Sequence, residues 1–366
     1  MSSPTSRLIE PQNLPYYSQI QLDQFFDAHE RFLKNLPRGR RAVMRFVQAQ
    51  QMNLSNRKLY EADFTGASFR GARMSFADFE RAYLFCADLT SADARQANFR
   101  RADLRGVSLR NACLEGAILD EADMREAVLA VSGGGGDIQL AGRSAEQGHG
   151  SGAYSVDFSN CSMRKSKLKS AKLKGANFAG ALLEGADLEG ANLTGANFKG
   201  AVLIGAKMER ATIDAGALEG CVLDPSEAAR AKGRELRARL DDAESWIRSN
   251  GRIGSAAKLD DEDLRPLDVA LRGRRLTAMS AQRACAVGVT FAETQLQGAR
   301  FDGADLRDAD FSGADLRGAS FHGANLHHAR FDRADLRDLP LGPSRSAPVD
   351  LADAQFSPSI LASAIR

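Results

Sequence analysis

Large aromatic side chains are scarce in this 366-residue sequence, where Phe, Trp and Tyr make up 7% of the residues and Trp occurs once. There are only five Cys and no CxxC pair, which argues against a disulfide framework and a zinc ribbon and favours a reducing compartment. Charge of one sign is also missing, since 49 Lys and Arg face 47 Asp and Glu. This balance argues against a strongly basic nucleic-acid-binding protein and against a polyanionic mimic of nucleic acid.

Long hydrophobic runs are absent as well. No stretch approaches the roughly 18 apolar residues that a membrane span needs. The first ten residues, MSSPTSRLIE, contain no apolar segment of a signal peptide. We therefore expect a cytoplasmic protein without a membrane span.

What the sequence does contain is a period of five residues. A central Leu, Phe or Met recurs every five positions, usually with Ala two positions before it and often with Gly two positions after it. From Leu54 to Leu129 there are 16 centres, all Leu, Phe or Met except Ala94, and 13 of them have the Ala two positions before. A second run extends from Phe158 to Leu223 and a third from Phe291 to Leu336.

A five-residue period fits neither a single amphipathic helix nor an alternating strand, whose periods are about 3.6 and 2. It suits a chain that turns a corner every five residues, with one small and one large side chain inward. Such coils stack about 4.8 Å apart through strand-like pairing. Ala is expected where the corner brings the backbone near the axis, and Gly where the turn needs a positive φ.

Units such as Ala186-Asp187-Leu188-Glu189-Gly190 resemble those of the pentapeptide-repeat family. The resemblance covers well over half of the chain. It implies a β-solenoid, a right-handed quadrilateral β-helix with four repeats in each coil. The sequence supports this coil length independently, because Phe recurs at every fourth centre and would stack on one face in two core columns: Phe158, Phe178 and Phe198, and Phe291, Phe311 and Phe331.

Helical capping segments are predicted at two places, because the end of a solenoid exposes core and strand edges. Ser18 and Gln21 form a capping box before an apolar stripe. A second helix is predicted to start at Asp224, the N-cap, with Pro225 in its first turn and the acidic Glu227 at its third position. The predicted organisation is an N-terminal helical cap at 1–41, solenoid at 42–131, a Gly-rich loop at 132–153, continued solenoid at 154–224, helix and linker at 225–270, a second solenoid at 271–341 and a Pro-rich tail with degenerate repeats at 342–366.

Three motifs suggest chemistry, and each has a simpler explanation. Gly133–Gly136 lacks the GK[ST] ending of a phosphate loop, and Ser162-x-x-Lys165 has no accompanying catalytic motif. The histidines near residue 325 point outward on neighbouring faces, so they diverge instead of converging on a metal. We predict no catalytic, cofactor-binding or metal-ligating residues, and no cofactor.

The strongest charge feature is a basic stretch in one coil, with six side chains at outward positions: Arg164, Lys165, Lys167, Lys169, Lys172 and Lys174. The second predicted helix adds a basic face with Arg230, Arg234 and Arg237. Both are candidate contacts for an acidic partner. The alternatives are that Glu184, Asp187 and Glu189, one coil later, neutralise the first group, and that the helix has an ordinary solvated face.

We therefore predict a non-enzymatic scaffold or protein-interaction module that presents rigid flat faces to an unidentified protein partner. Direct nucleic-acid binding is not expected, and the oligomeric state is left open. Two alternatives follow from the resemblance. Some members of the family resemble duplex DNA and bind gyrase, which would make this a topoisomerase-protection protein, although its outward charges are mixed. Others are secreted effectors that target host cells.

Overall fold

The computed structural model describes residues 15–126, 130–132, 138–140, 156–342 and 344–366. Of the predicted Gly-rich loop, only residues 132 and 138–140 fall within this range, and positions 1–14 of the predicted N-terminal cap lie outside it. The chain forms two compact units, Met1–Asp224 and Pro225–Arg366. Each unit begins with an α-helix, which is followed by a solenoid of stacked square coils.

The first unit opens with helix α1, Gln19–Leu33. Ser18 caps it, and its side chain accepts a hydrogen bond from the backbone N–H of Gln21, while the Gln21 side chain accepts one from the backbone N–H of Ser18. This is the predicted capping box. Leu22 and Phe26 are fully buried and join the core of the solenoid, so α1 covers its first coil.

Parallel backbone pairing between equivalent residues of successive coils builds the solenoid. Val43 pairs with Asp63, Asp63 with Tyr83, and Tyr83 with Asp103, and the same step is repeated on the other three faces. The backbone N–H of Asp63 donates to the carbonyl of Ala42 at 2.9 Å, and that of Phe64 donates to the carbonyl of Tyr83 at 2.7 Å. The chain turns between faces through a left-handed residue two positions after each centre, as at Gly66 with φ +65°. A coil therefore contains four repeats.

The core has the predicted composition of alternating small and large side chains. The rings of Phe158 and Phe178 stack with centroids 5.2 Å apart, and those of Phe178 and Phe198 with centroids 5.1 Å apart. In the second unit the ring centroid of Phe311 lies 4.9 Å from that of Phe291 and 5.2 Å from that of Phe331. The similar spacing shows that like residues stack directly above one another, as close packing in a column requires.

One coil of the first unit contains an insertion. Cys113 pairs with Asp157, Ile118 with Ser162 and Asp123 with Lys167, so each pair spans far more of the sequence than a regular coil does. Two short antiparallel strands lie within the inserted segment, β1 at Ala130–Ser132 and β2 at Ile138–Leu140. After the insertion the chain resumes the same four faces in the same order.

The second unit opens with helix α2, Glu227–Arg248. Its N-cap is Ser226, two residues after the predicted Asp224, because the Ser226 hydroxyl accepts the backbone N–H of Ala229. Its solenoid begins earlier than residue 271, where the sequence analysis places it. Lys258 already pairs with Ser280, and Asp263 with Cys285, so the segment predicted as a linker forms the first coil. The periodicity is hidden there because a 3₁₀ segment, Arg265–Leu271, replaces one regular repeat and makes this coil slightly longer than the others.

The Pro-rich C-terminal segment also forms a coil. Ser320 pairs with Asp350 and Asn325 with Gln355, which is a longer step along the sequence than in the regular coils. The additional residues include an antiparallel hairpin of β3, Leu339–Gly342, and β4, Arg345–Ala347. A short 3₁₀ helix at Pro358–Leu361 follows, and Ile365 pairs with Asp335.

The Phe178 stack gives a direct test of the inward assignment. Phe178→Asp places a carboxylate between two buried rings and should lower the free energy of unfolding of the first unit by about 4 kcal/mol or more. Ala179→Asp makes the same kind of change on the next, outward residue, near Lys199, and should change it by less than about 1 kcal/mol. Chemical denaturation of both variants measures the difference. Equal losses would contradict the assignment.

His29 fastens α1 to the first coil and is fully buried. Its Nδ1 accepts the backbone N–H of Ala42 at 3.0 Å, so Nε2 carries the proton and donates to the carbonyl of Tyr60 at 3.0 Å. Burial is the largest cause that lowers the pKa of His29 below 6.5. The neutral ring is therefore the form that the fold requires.

Because the folded pKa of His29 is depressed, its contribution to stability is complete above pH 6.5 and is lost as the pH falls through the folded pKa. We expect acidification from about pH 7.5 to about pH 5 to destabilise α1 in the wild type more than in His29→Gln, which does not titrate. Amide hydrogen exchange in α1 at the two pH values, corrected for intrinsic exchange rates, measures this. The same pH response in both proteins would exclude His29 as the titrating group.

Candidate partner-binding surface

The corner geometry sets the order of the outward side chains on each face. The residue before each buried centre lies mid-strand, and the two residues after the centre form the turn. Asp suits the mid-strand position because its carboxylate accepts the backbone N–H two residues later. The distance from the backbone nitrogen to the carboxylate oxygen is 3.1 Å for Thr65 and Asp63 and 3.0 Å for Thr90 and Asp88. The Asp of the repeat is therefore a turn-stabilising residue.

Many of these Asp residues also hold the Arg two positions later in a two-pronged ion pair. The pKa of Asp93 is lowered to about 2, chiefly by hydrogen bonds from the Arg95 side chain. Each pair neutralises itself within one repeat, so these faces carry many charges but little net field. In the described residues this arrangement occurs at Asp93–Arg95, Asp103–Arg105, Asp123–Arg125, Asp263–Arg265, Asp305–Arg307, Asp315–Arg317 and Asp335–Arg337.

Charges also pair between coils. Arg101 donates to Glu121, in the next coil, at 2.8 Å, and this contact is the largest cause that lowers the pKa of Glu121. Nearby Lys165 lowers that pKa further. Exposed pairs of this kind contribute about 0–1 kcal/mol each, so their main effect is to remove like-charge repulsion between stacked coils.

The six-residue basic stretch lies at outward positions, as its spacing predicts, and half of it is neutralised. Arg164 pairs with Asp120 at 2.8 Å, Lys169 with Glu189 at 2.6 Å and Lys172 with Glu126 at 3.0 Å. Of the predicted partners one coil later, Glu189 therefore makes an ion pair, while Asp187 is the strand neighbour of Lys167.

The other three side chains of the stretch, Lys165, Lys167 and Lys174, are exposed and make no ion pair within 4.0 Å to any described residue. Lys165 lies at the corner beside the face that contains Lys167, whereas Lys174 lies on the face after that. The stretch thus extends over three successive faces. Lys165 and Lys167 are close enough to act together on one flat partner.

A shallow groove runs beside Lys167. Its walls carry both signs of charge, since it is lined by Arg101 and Arg105 as well as by Glu121 and Asp123. The groove is open to solvent and lies on the same flat face as Lys167.

Helix α2 presents its basic residues to solvent. Arg230, Arg234 and Arg237 are exposed, while Leu236 and Leu240 on the opposite side are buried. The Arg237 guanidinium donates to the carbonyl of Pro266 at 3.3 Å.

Sequence reasoning missed a buried polar contact of the first solenoid. Asp120 is 8% exposed and accepts the Ser162 hydroxyl at 2.5 Å and the backbone N–H of Arg164 at 3.0 Å. Burial acts to raise the pKa of Asp120, but Arg164 and Ser162 outweigh burial and the pKa is lowered. The insertion separates these residues in the sequence, so the regular period of the repeat cannot pair them.

Among the described residues, no three His, Cys, Asp or Glu side chains are placed to hold a metal ion. No helix in the described part of the chain is long and apolar enough to cross a membrane.

Comparison with known protein families identifies the same five-residue repeat in this chain. Pentapeptide repeats are recognised in eight copies over residues 53–84, 82–125, 155–180, 181–214, 287–323 and 299–338. No curated protein matches the sequence.

Among solved structures, a pentapeptide repeat protein from the thylakoid lumen of Arabidopsis thaliana is 23% identical, with a TM-score of 0.21, over 36% of this chain and 66% of its own. HetL of the cyanobacterium Nostoc sp. strain PCC 7120, involved in regulation of heterocyst differentiation, is 18% identical, with a TM-score of 0.16, over 89% and 92%. QnrB1, a plasmid-mediated fluoroquinolone resistance protein, is 14% identical, with a TM-score of 0.19, over 85% and 93%.

The recognised repeats account for half of the sequence, and the coil-to-coil pairing extends the same period beyond them. The chain belongs to the pentapeptide-repeat family and has its fold, a right-handed quadrilateral β-helix.

Proposed function

We propose that this protein is a non-enzymatic scaffold that binds a protein partner through a flat face of its first solenoid. The supporting observation is the rigid display of outward side chains. Backbone N–H and carbonyl groups on each face are bonded from coil to coil, so the side chains stand at fixed spacings. Because the scaffold is already rigid, it loses little conformational entropy when a partner binds such a face.

Within that surface, Lys165 and Lys167 are the proposed contact residues, with Arg164, Lys169, Lys172 and Lys174 around them. The two lysines are exposed, and no ion pair to a described residue neutralises their charges. A partner with an acidic surface would complete the pairing, and the mixed groove beside Lys167 would orient it. The basic face of α2, with Arg230, Arg234 and Arg237, forms a second and separate proposed contact for an acidic partner.

Charge reversal tests this surface. We expect the triple variant Lys165→Glu, Lys167→Glu and Lys174→Glu to lose a partner that the wild-type protein captures, because attraction becomes repulsion. The control is Lys58→Glu, Lys199→Glu and Lys258→Glu, which makes the same change in net charge at exposed positions away from the face that contains Lys167. Quantitative cross-linking and mass spectrometry in the native cell measure capture. Equal capture by both variants would contradict the proposed contact.

The charge distribution also opposes mimicry of DNA. Duplex DNA carries one negative charge per about 1.7 Å. A coil adds about 4.8 Å of axis, so mimicry needs roughly three net negative charges per coil. Residues 52–131 contain 11 basic and 12 acidic side chains, and residues 154–224 contain 9 and 8. The ion pairs within single repeats neutralise the carboxylates further.

We therefore expect the purified protein to leave DNA gyrase active. At micromolar concentration, and at low as well as physiological salt, supercoiling should proceed at the rate seen without it. A supercoiling assay with and without a quinolone measures this. Inhibition, or protection from the drug, would favour the topoisomerase alternative over the scaffold.

A further inference from the structure

The first coil of each solenoid carries an arginine where later coils carry a small residue. Arg57 lies two positions before the centre Leu59, and Ala77, the equivalent residue one coil later, is fully buried. Arg274 lies two positions before Leu276, and its equivalent in the next coil is the fully buried Thr294. An inward arginine is tolerated in the first coil because no coil is stacked before it. The guanidinium group can therefore extend past the end of the solenoid to the capping helix.

Both arginines pair with acidic residues of the helix that covers that end. Arg57 contacts Asp23 at 2.6 Å and Asp27 at 2.8 Å. Arg274 contacts Asp241 at 2.6 Å. Counted from the first buried leucine of each helix, Leu22 or Leu236, Asp27 and Asp241 are the same position. This anchor is therefore common to both units.

A second contact differs between the units. Glu262 occupies the inward position of the second repeat in the second unit, with its side chain 13% exposed, and pairs with Lys232 at 2.7 Å and Arg239 at 3.2 Å. The corresponding inward residue of the first unit is Val47, which is 3% exposed.

The helix of the first unit is apolar at this contact. By the same count from the first buried leucine, α1 has Phe25 where α2 has Arg239. The ring of Phe25 lies 5.3 Å from that of Tyr17, whose backbone pairs with Gln48, the neighbour of Val47. The surroundings of this inward position are thus apolar in the first unit, where Val47 lies in the core, and ionic in the second.

We propose that Val47 and Glu262 determine which helix each solenoid accepts. The shared arginine anchor would otherwise let either helix dock on either end, within one chain or between two chains. Placed on the second unit, α1 would leave Glu262 largely buried without a cation, which is strongly unfavourable. Placed on the first unit, α2 would bring Arg239 and Lys232 onto Val47, where no carboxylate replaces the lost ion pair. Each mismatch penalises exchange of the two caps.

The test uses the full chain and amide hydrogen exchange of each helix. Val47→Glu should speed exchange in α1 by about tenfold or more, because it buries an unpaired carboxylate. Adding Phe25→Arg should restore much of the protection by recreating the pair found in the second unit. Exchange in residues 77–99 serves as the control and should stay slow, which shows that the solenoid remains folded.

The reciprocal change keeps the test decisive if Val47→Glu unfolds the first unit. Arg239→Phe alone should speed exchange in α2, and Arg239→Phe combined with Glu262→Val should slow it again. The proposal is overturned if each single change leaves exchange of its helix unaltered, or if neither double variant is better protected than its single parent.

Discussion

The corner is the constraint on which the rest of the molecule depends. A turn every five residues forces the residue two positions before each centre close to the axis, so it must be small, while the centre itself must fill the square that remains. Ala62 and Phe64 meet this requirement, and both are fully buried. Because the cross-section is the same in every regular coil, backbone pairing continues between these coils at a constant step along the sequence. The flat faces, and any partner they bind, are consequences of that regularity.

The same constraint explains the surface. The turn needs an acceptor for a backbone N–H two residues after the strand position, and Asp provides it at Asp63 and Asp93. A carboxylate held there is in reach of an arginine on its own repeat, as Arg95 shows. Much of the charge on this protein is therefore structural, and the side chains that differ from the pattern, such as Lys165 and Lys167, are the informative ones.

The sequence predicts the repeating parts of the fold well, because the five-residue period can be seen without knowledge of any tertiary contact. Phe158, Phe178 and Phe198 stack as their regular spacing indicates. Departures from the period could not be predicted. The first coil of the second unit falls in the predicted linker because its 3₁₀ segment, Arg265–Leu271, interrupts the period. The contact between Asp120 and Arg164 could not be predicted from the sequence period because it spans the insertion. The role of Arg57 could not be predicted because it depends on how α1 docks, which no local sequence pattern reveals.

The insertion in the first solenoid has a consequence for the design of new variants. Ile118 and Ser162 pair as though the inserted residues were absent, so the insertion does not disturb the pairing of the coils on either side of it. Loop closure becomes more costly only slowly with length, by about 0.6 kcal/mol for each doubling. The insertion is consequently a suitable site for engineering. A fluorescent reporter or an epitope introduced there should leave the side chains of the coils on either side in place.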